Sequence, residues 1–139
     1  MTYKLETYND IPWTPTITGL GSCTEVNFTY RRLGRGLIYI VGTLKTGSPS
    51  GTAVTVTLPS GMVVSSALAD SKYNIVGHGH RDTSTTSEVG VLARDGDSTI
   101  AYSYIAISNT NHLDPVNGDT LFSSSERVSI FATVPVNEV

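Results

Sequence analysis

The sequence predicts an all-β domain, an antiparallel jelly-roll-like β-sandwich preceded by an extended N-terminal arm. Composition is the first reason. The 139 residues include 19 Thr, 14 Val, 9 Ile and 7 Tyr against 7 Ala, 5 Glu, 3 Lys and no Gln, so side chains that fit a pleated surface far outnumber the straight-chain helix formers. The second reason is period: apolar residues alternate with polar ones in several short runs. The third is punctuation. Clusters of Gly, Pro, Asn, Asp and Ser separate these runs at roughly the 8 to 12 residue spacing of sandwich and barrel strands. The length suits one domain, and the lone Cys23 excludes an internal disulfide framework, so hydrophobic burial has to carry the fold.

Residues 1–20 read as an arm and 21–139 as the β domain. In the arm apolar residues are scattered without period, and Pro12 and Pro15 flank Trp13 and Thr14, which favours extended chain. From Thr24 the period becomes two, with Val26, Phe28 and Tyr30 on one face and Asn27, Thr29 and Arg31 on the other. Leu33-Gly34-Arg35-Gly36 makes a turn. The run Leu37, Ile38, Tyr39, Ile40, Val41 then predicts a strand covered on both faces, by a second layer or by a subunit interface. Thr52 to Leu58 alternates with Val54, Val56 and Leu58 inward and stops at Pro59-Ser60-Gly61. Met62 to Leu68 is a further short strand, and Ala67 to Lys72 the one place for a helical turn. Tyr73 to His80, Glu88 to Arg94 and Thr99 to Ser108 are strands, the last two joined by the tight-turn signal Asp95-Gly96-Asp97. Asn109 to Asp119 reads as a long loop, and Arg127 to Val136 as the closing strand with Val128, Ile130, Ala132 and Val134 on one face.

Charge removes several functions. Nine Lys+Arg against twelve Asp+Glu leave no basic surplus to neutralise phosphates, so nucleic acid is not an expected partner. No run reaches the ~18 to 20 apolar residues of a spanning helix, and Met-Thr-Tyr-Lys-Leu-Glu has no apolar signal-peptide core, so a membrane partner is not expected and synthesis is expected in the cytoplasm.

The chemical motifs are few. His78, His80 and Asp82 share one face of a strand and could place two imidazoles and a carboxylate around a metal. The residue after Asp82 is Thr83, not a further ligand, and the remaining His112 lies in a loop. A solvated or interface pair of histidines is therefore the preferred reading, with no metal and no other cofactor expected. There is no Gly-x-Ser-x-Gly, and Cys23 has no neighbouring His, so it reads as a half-buried thiol. Asp95 and Asp97 are explained by their hairpin, and the glycine pairs at 19–21 and 34–36 by turns. Tyr102 and Tyr104 could stack on sugar rings, but core packing is the simpler use. No catalytic residue is expected, and the protein reads as a non-enzyme.

Trp13-Thr14-Pro15-Thr16, Thr18-Gly19-Leu20-Gly21, Val26 through Gly34, the apolar strand ending at Gly42, Val56-Thr57-Leu58-Pro59-Ser60-Gly61 and the closing Val134-Pro135-Val136 together resemble a virion module of tailed bacteriophages. The resemblance covers mainly residues 13–61. It implies a jelly-roll sandwich that forms homotrimers and occurs in tail fibres and in small capsid decoration, or cement, proteins. Read as a whole chain from Met1, 139 residues suit decoration better than a long fibre. The implied partner is then the major capsid protein and the implied location the exterior of the virion head, which the trimer stabilises. Tyr3, Leu5, Tyr8, Ile11 and Trp13 are the expected capsid- or subunit-binding residues of the arm. Leu37 to Val41 is the expected interface strand. The alternative is a tail-fibre or tail-tip domain that recognises a host-surface glycan through loops such as 81–87 or 109–119.

Overall fold

The computed structural model describes residues 10–34, 36–67, 72–82, 88–103 and 114–138. They form ten strands and one short helix: β1 (Ile11–Trp13), β2 (Ile17–Thr18), β3 (Thr24–Gly34), β4 (Leu37–Lys45), β5 (Thr55–Thr57), β6 (Met62–Val64), β7 (Tyr73–Arg81), β8 (Glu88–Arg94), β9 (Thr99–Ser103), α1 (Gly118–Leu121) and β10 (Arg127–Glu138). All described pairings are antiparallel, in one sheet of order β1-β3-β4-β10-β7-β8-β9-β5-β2, with β6 attached to β10. The sheet curls into a half-barrel.

Alternation makes the core. Ile38, Ile40 and Leu44 of β4, Val56 of β5, Val89, Val91 and Ala93 of β8, and Val128, Ile130, Ala132, Val134 and Val136 of β10 all face inward and are buried. Three irregularities bend the ladders. Register shifts fall between Thr24 and Asn27 and between Arg32 and Gly34 on β3, and between Ile75 and Gly77 on β7, and such bulges increase local twist. Close approach adds to this: the Phe28 ring lies directly over Gly42, leaving no room for a Cβ there.

β10 is the spine. It pairs with β4 along nine positions, from Arg127 opposite Lys45 to Pro135 opposite Leu37. Its other edge pairs with β7 from Val128 to Ala132 and with β6 from Val136 to Glu138. Pro135, which has no N–H to donate, sits where that edge passes from β7 to β6.

The strands expected around 24–44, 52–58, 62–68, 73–80, 88–94 and 127–136 all have counterparts, as does the first half of 99–108; residues 104–108 and 68–71 lie outside the described residues. One reading needs correction. Residues 118 and 119, read as the end of the loop 109–119, begin α1, which is anchored because Gly118 packs against the Gly19 carbonyl so closely that no side chain fits. Among the described residues the strand Leu37 to Val41 is covered on one face. Ile38 and Ile40 are fully buried, but Leu37, Tyr39 and Val41 are only half-buried, because among the described residues no second layer lies over the outward side of β4. No described helix is long and apolar enough to cross a membrane.

Candidate functional site

The stretch expected as an arm enters the sheet at Ile11. β1 pairs with β3, Ile11 opposite Tyr30 and Trp13 opposite Phe28, while β2 pairs with β5, Ile17 opposite Val56. These are the two ends of the strand order, and only Thr14-Pro15-Thr16 separates them in sequence. One short segment thus clasps both edges of the curled sheet. Trp13 is its centre: the ring meets Phe28 and Tyr30 edge-on at 5.4 and 5.7 Å, and its Nε1 donates to the Thr57 carbonyl across the gap at 3.2 Å. The Thr16 N–H donates to Thr57 Oγ1 at 2.8 Å, and the Thr57 N–H returns a bond to the Thr16 carbonyl at 3.1 Å. Thr18 Oγ1 donates to the Ala53 carbonyl, and Leu20 is fully buried in the core.

Beside the clasp runs an uncharged groove. A hollow of about 370 Å³ is lined by Pro12, Trp13, Thr14, Val26, Asn27 and Phe28. A smaller one of about 210 Å³ shares Thr14 and Val26 with it and reaches Ile17 and Cys23. The Cys23 thiol is half-buried, and burial raises its pKa above the ordinary value.

Among the expected arm residues, Ile11 is 41% exposed and Trp13 is half-buried in its own domain; Tyr3, Leu5 and Tyr8 lie outside the described residues. Asp10, just before β1, holds Arg31 at 3.0 Å.

His78 and His80 project from the outward side of β7, where His78 faces Phe131 and His80 lies between Ser129 and Glu88. Asp82 does not converge with them: its Oδ1 accepts the backbone N–H of Arg127 at 3.1 Å and so closes the end of the β7–β10 ladder. No group of three or more potential metal ligands occurs among the described residues. Asp97 accepts two bonds from the Arg94 guanidinium, at 3.2 and 3.3 Å, as a hairpin-tip residue does. Tyr102 is buried and meets Phe122 edge-on at 5.4 Å, so it packs in the core rather than presenting a face to a sugar. Tyr104, and residues 83–87 and 109–113 of the two loops named above, lie outside the described residues.

One buried polar constellation escaped sequence reasoning. Arg81 points inward from the end of β7, 5% exposed, and its Nε lies 3.7 Å from Oε1 of Glu126, which is 0% exposed. Arg81 Nη1 donates to the Leu121 carbonyl and the guanidinium sits over the Phe122 ring. Glu126 Oε2 accepts the Ser123 N–H at 2.8 Å, and Thr46 Oγ1 accepts the Glu126 N–H at 2.9 Å. The group ties α1 and the segment after it to β7 and to the end of β4. It is enclosed by structure, which makes it a brace rather than a site.

Comparison with known proteins finds no matching family model, curated protein or solved structure.

Proposed function

We propose that this chain is a bacteriophage capsid decoration protein: a non-catalytic, trimeric β unit, of the jelly-roll-like sandwich type, that binds the major capsid protein on the outside of the head and stabilises it. The observation that supports the reading best is the double clasp. Residues 1–9 are joined directly to a segment that is laddered to both edges of the sheet, so whatever they bind is coupled to a stiff body and not to a loose linker. A load on the arm is shared by two ladders and the Trp13 contacts. Three such arms on one trimer attach with an avidity well beyond any single contact, because the second and third bind at high effective concentration.

The test is deletion of residues 1–9, which leaves β1 and Trp13 in place. Binding of the truncated protein to heads that lack it should fall at least tenfold, with its thermal unfolding unchanged; undiminished binding contradicts the arm's role.

The groove beside Trp13 favours a second reading. An aromatic wall with an amide and a hydroxyl at its rim, from Asn27 and Thr14, suits a neutral sugar ring, as a tail-tip domain recognising a host glycan would need. Binding of the purified protein to host-surface glycan, abolished by Asn27→Ala, would favour that reading over decoration.

A further inference from the structure

Asn117-Gly118 is the only Asn-Gly pair in the chain, and the fold treats its two halves in opposite ways. The Asn117 side chain is exposed and, although it stands at the N-cap position of α1, makes no capping hydrogen bond. Its carboxamide is free to turn. The backbone that follows it is held. The Gly118 N–H donates to the Thr52 carbonyl at 3.0 Å, and the Asn117 carbonyl accepts the Thr120 N–H at 3.2 Å, so both polar groups of the peptide joining the pair are engaged. Asn117 is bridged to Ala53. On either side of it the Val54 N–H donates to the Val116 carbonyl at 2.9 Å and the Asp119 N–H to the Ser50 carbonyl at 2.8 Å. Gly118 itself is buried against the Gly19 carbonyl, where a Cβ would collide.

The chemistry latent in such a pair needs no enzyme. The Gly118 nitrogen attacks Cγ of Asn117; a new N–Cγ bond closes a succinimide ring, the Cγ–NH2 bond breaks, and ammonia leaves with the proton that the Gly118 nitrogen gives up. Water then opens the ring. Attack at Cγ leaves aspartate in a normal backbone, whereas attack at the former main-chain carbonyl leaves isoaspartate, in which the chain runs through Cγ and is one methylene longer. Glycine hinders the ring closure least, because it has no Cβ. Closure also requires the Gly118 nitrogen to lose its proton and the rigid peptide plane to turn as a unit, and neither is compatible with the bonds to Thr52 and Thr120.

We infer that Asn117 is a deamidation site gated by the docking of α1: closed while residues 116–119 lie against 50–54 and Gly19, and open to reaction when that contact is lost. The isoaspartyl product does not redock. Its extra methylene falls between the Ala53 bridge and Gly118, where the Gly19 carbonyl leaves no space. α1 carries the Leu121 carbonyl that accepts Arg81, and the Ser123 N–H that binds Glu126 follows shortly after it, so this product also loosens the buried brace. The aspartyl product keeps the native backbone and places a preferred capping residue at position 117. The site thus converts a transient local opening into a permanent change, whatever the protein fastens to.

The test compares the native chain with the same chain unfolded in guanidinium chloride, both incubated at mildly alkaline pH. Peptides that span residue 117 are resolved into asparaginyl, aspartyl and isoaspartyl forms by chromatography and mass spectrometry. Loss of Asn117 should be at least about tenfold slower in the native chain, as protection by a docked segment requires. Once the unfolded sample is returned to native buffer, the isoaspartyl fraction should unfold at a lower denaturant concentration than the unmodified protein. Asn117→Asp, which adds the charge without the methylene, should keep the native midpoint. The inference is overturned by a native chain that loses Asn117 as fast as the unfolded one, or by an unfolded chain that retains it. An isoaspartyl protein with the native midpoint, or an Asn117→Asp variant as weakened as the isoaspartyl form, overturns it equally.

Discussion

Phe28, Tyr102, Arg81 and Glu126 show how far single residues decide this molecule. The Phe28 ring occupies the space over Gly42, so Gly42→Ala should destabilise the fold by about 1–3 kcal/mol through overpacking, read as a lower denaturant midpoint. Tyr102 is buried and its hydroxyl makes no hydrogen bond among the described residues. Burial, and then the charge that the Cys23 thiol can acquire, raise its pKa above the ordinary phenol value. An unfolded tyrosine ionises near pH ~10, whereas the native one keeps its proton to higher pH. The native state therefore holds more protons above that point, and stability falls as pH rises through it. Tyr102→Phe should move the alkaline unfolding midpoint, followed by Trp13 fluorescence, to higher pH, with neutral-pH stability within about 1 kcal/mol of the native protein. A buried ion pair behaves differently. Losing Arg81 alone strands a buried carboxylate, so Arg81→Met should cost about 3–5 kcal/mol, and adding Glu126→Gln should restore part of that loss in chemical denaturation.

Strands whose period is local were legible in the sequence, and those defined by distant partners were not. β3 and β10 carry a period of two, in Val26, Phe28 and Tyr30 and in Val128, Ile130, Ala132 and Val134, enough to reveal an inward face, whereas β4 and β8 are legible as strands from short, largely apolar runs. β1 and β2 have three and two residues, and their status as strands comes from Tyr30 and Val56, far along the chain. Prolines at 12 and 15 read correctly as extended chain, but nothing local to them says that this chain staples the sheet. Arg81 was hidden for a related reason: alternation along β7 puts it on the inward face, and only the folding of Glu126 beneath it makes an inward arginine tolerable. The apolar run Leu37 to Val41 announces two faces to be covered, and the described residues cover one. The clasp leads to a prediction of its own. Trp13→Ala removes the bridge between β3 and β5 and should cost about 2–4 kcal/mol of stability, in contrast to deletion of residues 1–9, which leaves that bridge whole.

At the scale of the whole molecule, a curled sheet is clasped at both edges by one short segment, and the first nine residues lead directly into that segment. These properties suit a unit that fastens to a larger body. The sequence suggests that proposed role through its motifs; it does not reveal that Phe131 is exposed, because Phe131 alternates with buried neighbours as any outward residue of a strand does. The central claim is that the protein decorates the phage head, and copy number per virion tests it most directly. Quantitative mass spectrometry of purified particles should count hundreds of copies, spread over the head by immunogold labelling; a handful of copies confined to the tail would contradict it.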